Sequence, residues 1–268
     1  MRVVHRDELD FGPEPGITGF RKADVLDSHE GSVRFWQVPA GWNIGELGIA
    51  ENLHFHRRVY EYAAVLAGDF PHIEYDVDRH ALEAIRFVPG DLMIRPPGSL
   101  HGLKADLRVH QACDLLYWNT GPGTGILDPD YSTETIDVTS LAGAARPATA
   151  APCRITRVDT DGAGPVGGSA TMSRAAEPYQ VRLRWLPAGS RLPLAELIGD
   201  AALFTFLWRG QAELGAACSG LRTSLAAWTV LAGVPEGGQC EVTLTSVAAS
   251  CWLLVSRPPS TPPRLRES

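Results

Sequence analysis

Hydrophobic positions along this chain fall into short runs rather than long periodic stretches. VRFWQVPAG, YEYAAVLAG, AIRFVPG, DLMIRPPG and CDLLYWN lie in the first half, and YQVRLRWLPAG, LFTFLWRG, LAAWTVLAGVPEG, CEVTLTSV and SCWLLVS in the second. Each is the length of one strand, is rich in β-branched and aromatic residues, and is mostly closed by Gly or Pro, the residues that turns demand. Only HALEAIRF and the region around LAELIGDAA could be read as either helix or strand. Many short strands with frequent turns predict an all-β chain folded as sandwiches or barrels.

Two segments break the pattern. SLAGAARPATAAP, residues 140–152, is small, interrupted by Pro and without either hydrophobic period, so it reads as a linker. RPPSTPPRLRES, residues 257–268, cannot build helix or sheet and reads as a disordered tail. The expected division is a first barrel with an N-terminal arm over 1–139, the linker over 140–152, a second barrel over 153–256, and the tail. The halves also echo each other. VPAGW at Val38 returns as LPAGS at Leu186, AAVLAG ending at Gly68 as FTFLWRG ending at Gly210, and RPPG ending at Gly98 as GVPEG ending at Gly237. The slow drift of the offset suits one fold repeated with shorter loops.

Composition narrows the setting. At 268 residues and 44% hydrophobic, the chain has material for one large core or two modest ones, and no run apolar enough to span a bilayer. MRVVHRDELDFG contains no secretory signal pattern, so the expected location is the cytoplasm. The five cysteines, Cys113, Cys153, Cys218, Cys240 and Cys251, form no CxxC pair and read as reduced, mostly buried thiols. A net charge of −7 without a basic run argues against nucleic acid or an anionic membrane as partner. The expected partner is a small-molecule substrate, with a homodimer as an option.

The chemistry concentrates in GIAENLHFHRRVYEYAAVLAG, residues 48–68. Residues two apart on a strand share a face, so His54 and His56 project together. Glu61 is out of phase with both and joins them only if HRRVY makes a turn or bulge. His101, after the Pro-Pro-Gly turn of PGDLMIRPPGSLHGLKA, is a fourth candidate. Three imidazoles and a carboxylate suit Fe(II), Mn(II), Ni(II), Zn(II) or Cu(II), with positions left for substrate or O2.

The spacing of these residues resembles the two motifs of the cupin superfamily. Gly48, His54, His56, Glu61 and Gly68 match the first, and Gly90, Pro96, Gly98 and His101 the second, although Ala105 stands where the second motif often ends in Asn. The resemblance implies an antiparallel β-barrel of the double-stranded β-helix, or jelly-roll, type. It also implies one metal ion per chain on His54, His56, Glu61 and His101. The four glycines fit turns that need positive φ or positions without room for a side chain. All eight histidines lie at or before residue 110; on the repeat, Leu203 replaces Glu61 and Cys240 replaces His101. The chain therefore resembles a bicupin with one intact metal site and a degenerate second barrel, in which Trp208, Trp228 and Trp252 are the expected core anchors.

Around the site, Ala63, Val65 and Ala67 share the face of Glu61 and leave room for a substrate. Arg95, Gln111 and Tyr117 are candidate substrate contacts, Arg95 as a clamp for a carboxylate or phenolate. His72 reads as a solvated loop residue. The first functional expectation is Fe(II)-dependent, dioxygenase-like oxidation or C–C cleavage of a small organic acid, diketone or phenol, with Glu61 catalytic. The alternatives are isomerase or lyase chemistry by proton abstraction beside a coordinated oxygen, and a binding cupin without turnover.

Overall fold

The computed structural model describes residues 1–14, 17–28, 31–76, 79, 81–120, 133–135, 152–159, 168–198, 202–217, 219–232 and 242–257. Most of the expected linker, nearly all of the expected tail, Cys218, Gly237 and Cys240 lie outside them.

In chain order the strands are β1 (Arg2–His5), β2 (Gly12–Pro13), β3 (Arg21–Ser28), β4 (Gly31–Val38), β5 (Glu51–His56), β6 (Glu61–Ala67), β7 (Phe70–Asp76) and β8 (Ala81–Phe87). They continue with β9 (Asp91–Arg95), β10 (His101–Lys104), β11 (Cys113–Asn119), β12 (Thr133–Thr135), β13 (Arg154–Arg157), β14 (Ser169–Thr171), β15 (Gln180–Leu186) and β16 (Arg191–Pro193). After the one α-helix among the described residues, α1 (Leu194–Ile198), come β17 (Ala202–Arg209), β18 (Gln211–Ala216), β19 (Arg222–Ala226), β20 (Thr229–Ala232), β21 (Val242–Ser246) and β22 (Ser250–Ser256). All pairings are antiparallel. The two ambiguous stretches separate. Ala81–Phe87 is a strand paired along β7, whereas LAELI makes one helical turn that buries Leu194, Leu197 and Ile198.

Two compact units result, Leu9–Val158 and Met1–Glu8 with Asp159–Ser268. The first has a seven-stranded sheet, β13-β9-β6-β11-β4-β3-β2, facing a five-stranded one, β12-β5-β10-β7-β8. The second has β1-β20-β17-β22-β15-β14 and β16-β21-β18-β19. The order β9-β6-β11-β4-β3 thus returns as β20-β17-β22-β15-β14, and β5-β10-β7-β8 as β16-β21-β18-β19, so the repeat glimpsed in the sequence is a repeat of topology.

The shared glycines mark equivalent corners. Gly68 has φ 69°, and a Cβ there would stand 2.0 Å from the Ala112 carbonyl oxygen; Gly210 has φ 92°, and its Cβ would meet the Ala249 oxygen at 2.3 Å. Each hairpin bends back onto the loop preceding β11 or β22, leaving no space for a side chain.

The unit boundaries differ from the division expected above. The N-terminal arm pairs with β20 and belongs to the second unit, while Arg154–Arg157 pairs with β9 and closes the first. Arg157 fixes that closure by a bidentate ion pair with Asp91, Nε to Oδ1 at 2.7 Å and a second nitrogen to Oδ2 at 2.9 Å.

The described interior of the second unit is a hydrophobic cluster of Leu186, Leu192, Leu207, Leu214, Leu244 and Trp252, among others. Trp208 and Trp252 are buried as expected, but Trp228 is not a core anchor. It occupies the β19–β20 turn at φ 71°, half-buried, with the Arg6 guanidinium 5.5 Å above its ring.

Candidate metal centre

In the first unit the interior is apolar at one end and polar at the other. His54 and His56 alternate along β5 with Leu53 and Phe55, which pack outside with Ile73 and Leu100. His101 opens β10 directly opposite His54. The next residue, Gly102, lets β10 close on β5, because a Cβ there would fall 1.7 Å from the Asn52 carbonyl oxygen. The two motif segments are also tied by the Gly98 N–H, which donates to the His56 carbonyl at 2.8 Å. After His56 the chain crosses through Arg57–Tyr60 to the other sheet, where Glu61 starts β6 and reaches back across the barrel. That crossing resolves the parity problem of Glu61.

The four side chains converge. His54, His56 and His101 place ring nitrogens within 4.8 Å of one another, all buried. His56 Nε2 lies 3.3 Å from Glu61 Oε1, and His101 Nε2 lies 3.2 Å from Glu61 Oε2. His101 Nδ1 is 2.8 Å from the Ser99 carbonyl, which can only accept, so the proton sits on Nδ1 and the Nε2 lone pair faces the carboxylate. Two acceptors meeting at this distance in a dry site call for a cation between them. His54 Nδ1 adds a buried nitrogen without a hydrogen-bond partner among the described residues. The donor set and its orientation fit a divalent metal.

Protonation agrees with that fit. Burial, then the neighbouring His101 and His56, hold the His54 imidazole well below its ordinary range. Burial, then Arg95, lowers His101 to about 4. Burial alone would raise the Glu61 carboxyl, but His56 and His101 outweigh it and keep it well below the usual carboxylate range. At neutral pH His54 and His101 offer lone pairs and Glu61 a charge.

A further layer holds this set in place. Tyr117 on β11 donates its hydroxyl to Glu61 Oε1, and Arg95 on β9 donates to Glu61 Oε2 at 3.0 Å. Arg95 also donates to Glu74 on β7, whose Oε1 lies 3.4 Å from His72 Nδ1. Burial works against the Glu74 charge, yet Arg95 and then His72 bring its pKa down to about 2.

Of the expected substrate contacts, Tyr117 and Arg95 line the cavity beside the histidines. Arg95, however, is held by two carboxylates. Gln111 is not in the site: it is exposed in the loop before β11, where its backbone N–H donates to Asp69 at 2.6 Å. Gln111 does not share the strand face of Tyr117, because the strand begins only at Cys113. His72 corrects the expectation of a solvated loop residue, being buried on β7 with its ring 5.6 Å from that of His101. Glu74 was not singled out from the sequence. The alternation Phe70, His72, Glu74 in FPHIEYD was the available signal, since all three share one strand face.

The cavity next to the site holds about 140 Å³. Its far wall is aromatic: Trp36 stacks on Tyr117 with centroids 4.4 Å apart, and Phe20 packs on Trp42 at 4.5 Å.

No protein-family model matches this sequence, and no curated protein matches it. Solved structures do. The chain is similar to oxalate decarboxylase of Lactobacillus farciminis in its formate complex, at 14% identity and TM-score 0.55, covering 96% of this chain and 86% of that one. It is similar to a mutant of Bacillus subtilis oxalate decarboxylase at 12% identity and TM-score 0.55, covering 95% and 76%. A B. subtilis structure concerned with the Mn(II) centres of that enzyme matches at 12% identity and TM-score 0.51, covering 95% and 76%. The fold is that of a bicupin. Among the described residues, the first barrel carries the one histidine cluster arranged to hold a metal, and the core of the second is built largely of leucines.

Proposed function

We propose that this bicupin is a metal-dependent enzyme whose first barrel holds one divalent ion on His54, His56, Glu61 and His101 and acts on a small molecule binding through oxygen. The observation that carries the reading is the buried cluster of three imidazoles, with the Glu61 carboxylate 3.3 Å from His56 and 3.2 Å from His101. Bound there, the ion supplies Lewis acidity and, if redox-active, a route for electrons to O2. The protein's own residues do the rest. Ser99 fixes the His101 ring, Tyr117 and Arg95 hold the two oxygens of Glu61, and the aromatic wall keeps water from the far side.

Fe(II)-dependent oxidation or C–C cleavage remains the first reading of the chemistry. Lyase chemistry with Mn(II) is the second, supported by neighbours that are oxalate decarboxylases, one of them with Mn(II) centres. Metal analysis of the isolated chain, followed by O2-uptake assays with Fe(II) and anaerobic assays with Mn(II), separates them. Oxygen consumption coupled to product supports oxidation, turnover under argon supports the lyase, and a chain that retains no metal refutes both.

A further inference from the structure

The charges and walls of the cavity narrow the substrate, resting on the metal-centre reading above. Beside the imidazoles of His54, His56, His72 and His101, the charged groups lining or bordering the cavity are Glu61, Arg95 and Glu74. Arg95 is neutralised in place: both carboxylates lie on its guanidinium, so it has no charge left to offer an incoming anion. Cys153, whose thiol burial pushes up, adds none. Arg95 is the one Arg or Lys among the cavity's lining residues, so a dicarboxylate would place its second charge against aromatic rings, which is costly in a dry site.

The walls agree. Trp36 spends its indole N–H on Glu14 at 3.1 Å and Trp42 on the Thr18 carbonyl at 2.8 Å, so both turn apolar faces inward. The Tyr117 hydroxyl is committed to Glu61. A volume of about 140 Å³ is close to that of an engineered apolar cavity, about 150 Å³, that accepts benzene.

We propose that the first barrel selects a neutral molecule of about one ring, apolar in body and carrying two adjacent oxygens, and that it rejects dicarboxylates such as oxalate. The test uses the full chain in two forms, loaded with Zn(II) and stripped with EDTA, titrated with catechol, phenol and oxalate by tryptophan fluorescence and calorimetry. In the Zn(II) form catechol should bind at least about tenfold more tightly than oxalate. In the stripped form phenol should still bind, weakly, because the aromatic wall needs no metal. Ala63→Phe, which fills the cavity, should abolish phenol and catechol binding with Zn(II) content unchanged; Phe20→Ala, which enlarges it, should admit 2,3-dihydroxynaphthalene. Oxalate binding as tight as catechol, or no phenol binding to the stripped chain, overturns the proposal. Failure to load Zn(II) would instead refute the metal-centre reading, and phenol binding would still report on the cavity.

Discussion

Replacing Arg95 by Met removes the one cation that two buried carboxylates share. Arg95, Glu61 and Glu74 are 4%, 3% and 5% exposed, so water cannot take over the lost contacts. Glu74 has a pKa of about 2 against an ordinary 4.5. That gap corresponds to about 3 kcal/mol of stabilisation at neutral pH, in line with the roughly 3–5 kcal/mol cost of breaking a buried ion pair from one side. The sign follows from the direction of the shift. A depressed carboxyl pKa stabilises fully above the unfolded value and loses that contribution as pH falls through the folded value, here between about 4.5 and 2. Arg95→Met should therefore be most harmful near pH 7 and less so near pH 4, where the orphaned Glu74 takes up a proton. Adding Glu74→Gln should restore much of the loss, since no unpaired Glu74 charge then remains. Urea unfolding in EDTA, followed by tryptophan fluorescence at both pH values, reads all three effects without any contribution from metal. A penalty under about 1 kcal/mol at pH 7, an equal penalty at pH 4, or a double variant no better than the single one would refute the reasoning.

His54→Ala, His56→Ala or His101→Ala should reduce metal content from one ion per chain to nearly none while the β-rich circular dichroism persists; full retention in any two contradicts the ligand assignment. Metal loading should raise the unfolding free energy by about 2.7 kcal/mol at a hundredfold excess over the dissociation constant, and these variants should show no such gain in a thermal shift. Gly68→Ala and Gly210→Ala combine a left-handed φ with a Cβ against a carbonyl oxygen, so each should lower the urea midpoint, at a cost of about 2 kcal/mol or more. Deleting Met1–Glu8 strips β1 from the edge of β20 and should raise hydrogen exchange at Val230–Ala232, whereas unchanged protection there would contradict the pairing. A chain ended near Ser140 loses β13 and the Arg157 clamp on Asp91, and should bind metal less stably than the whole chain when titrated with EDTA.

What the sequence determined alone is what depends on short-range geometry. His54 and His56 share a face in any strand, because alternation is a property of the extended backbone. The glycines at 48, 68, 90 and 98 announce turns, and all four have positive φ. The absence of histidine after residue 110 leaves the stretch from Cys153 onward without an imidazole, and the only one that the arm strand β1 adds to the second unit is His5. The tertiary structure decided everything that depends on which strands meet. Arg95 looked like a free clamp until β7 brought Glu74 onto it, and no local pattern links positions 74 and 95. Gln111 lost its place because the start of β11 is set by pairing with β4 and β6, not by its own alternation. The N-terminal arm joined a strand more than two hundred residues away. A sequence records the period of each strand, but its partners are selected by barrel closure, where burial of both faces and saturation of backbone hydrogen bonds are satisfied together.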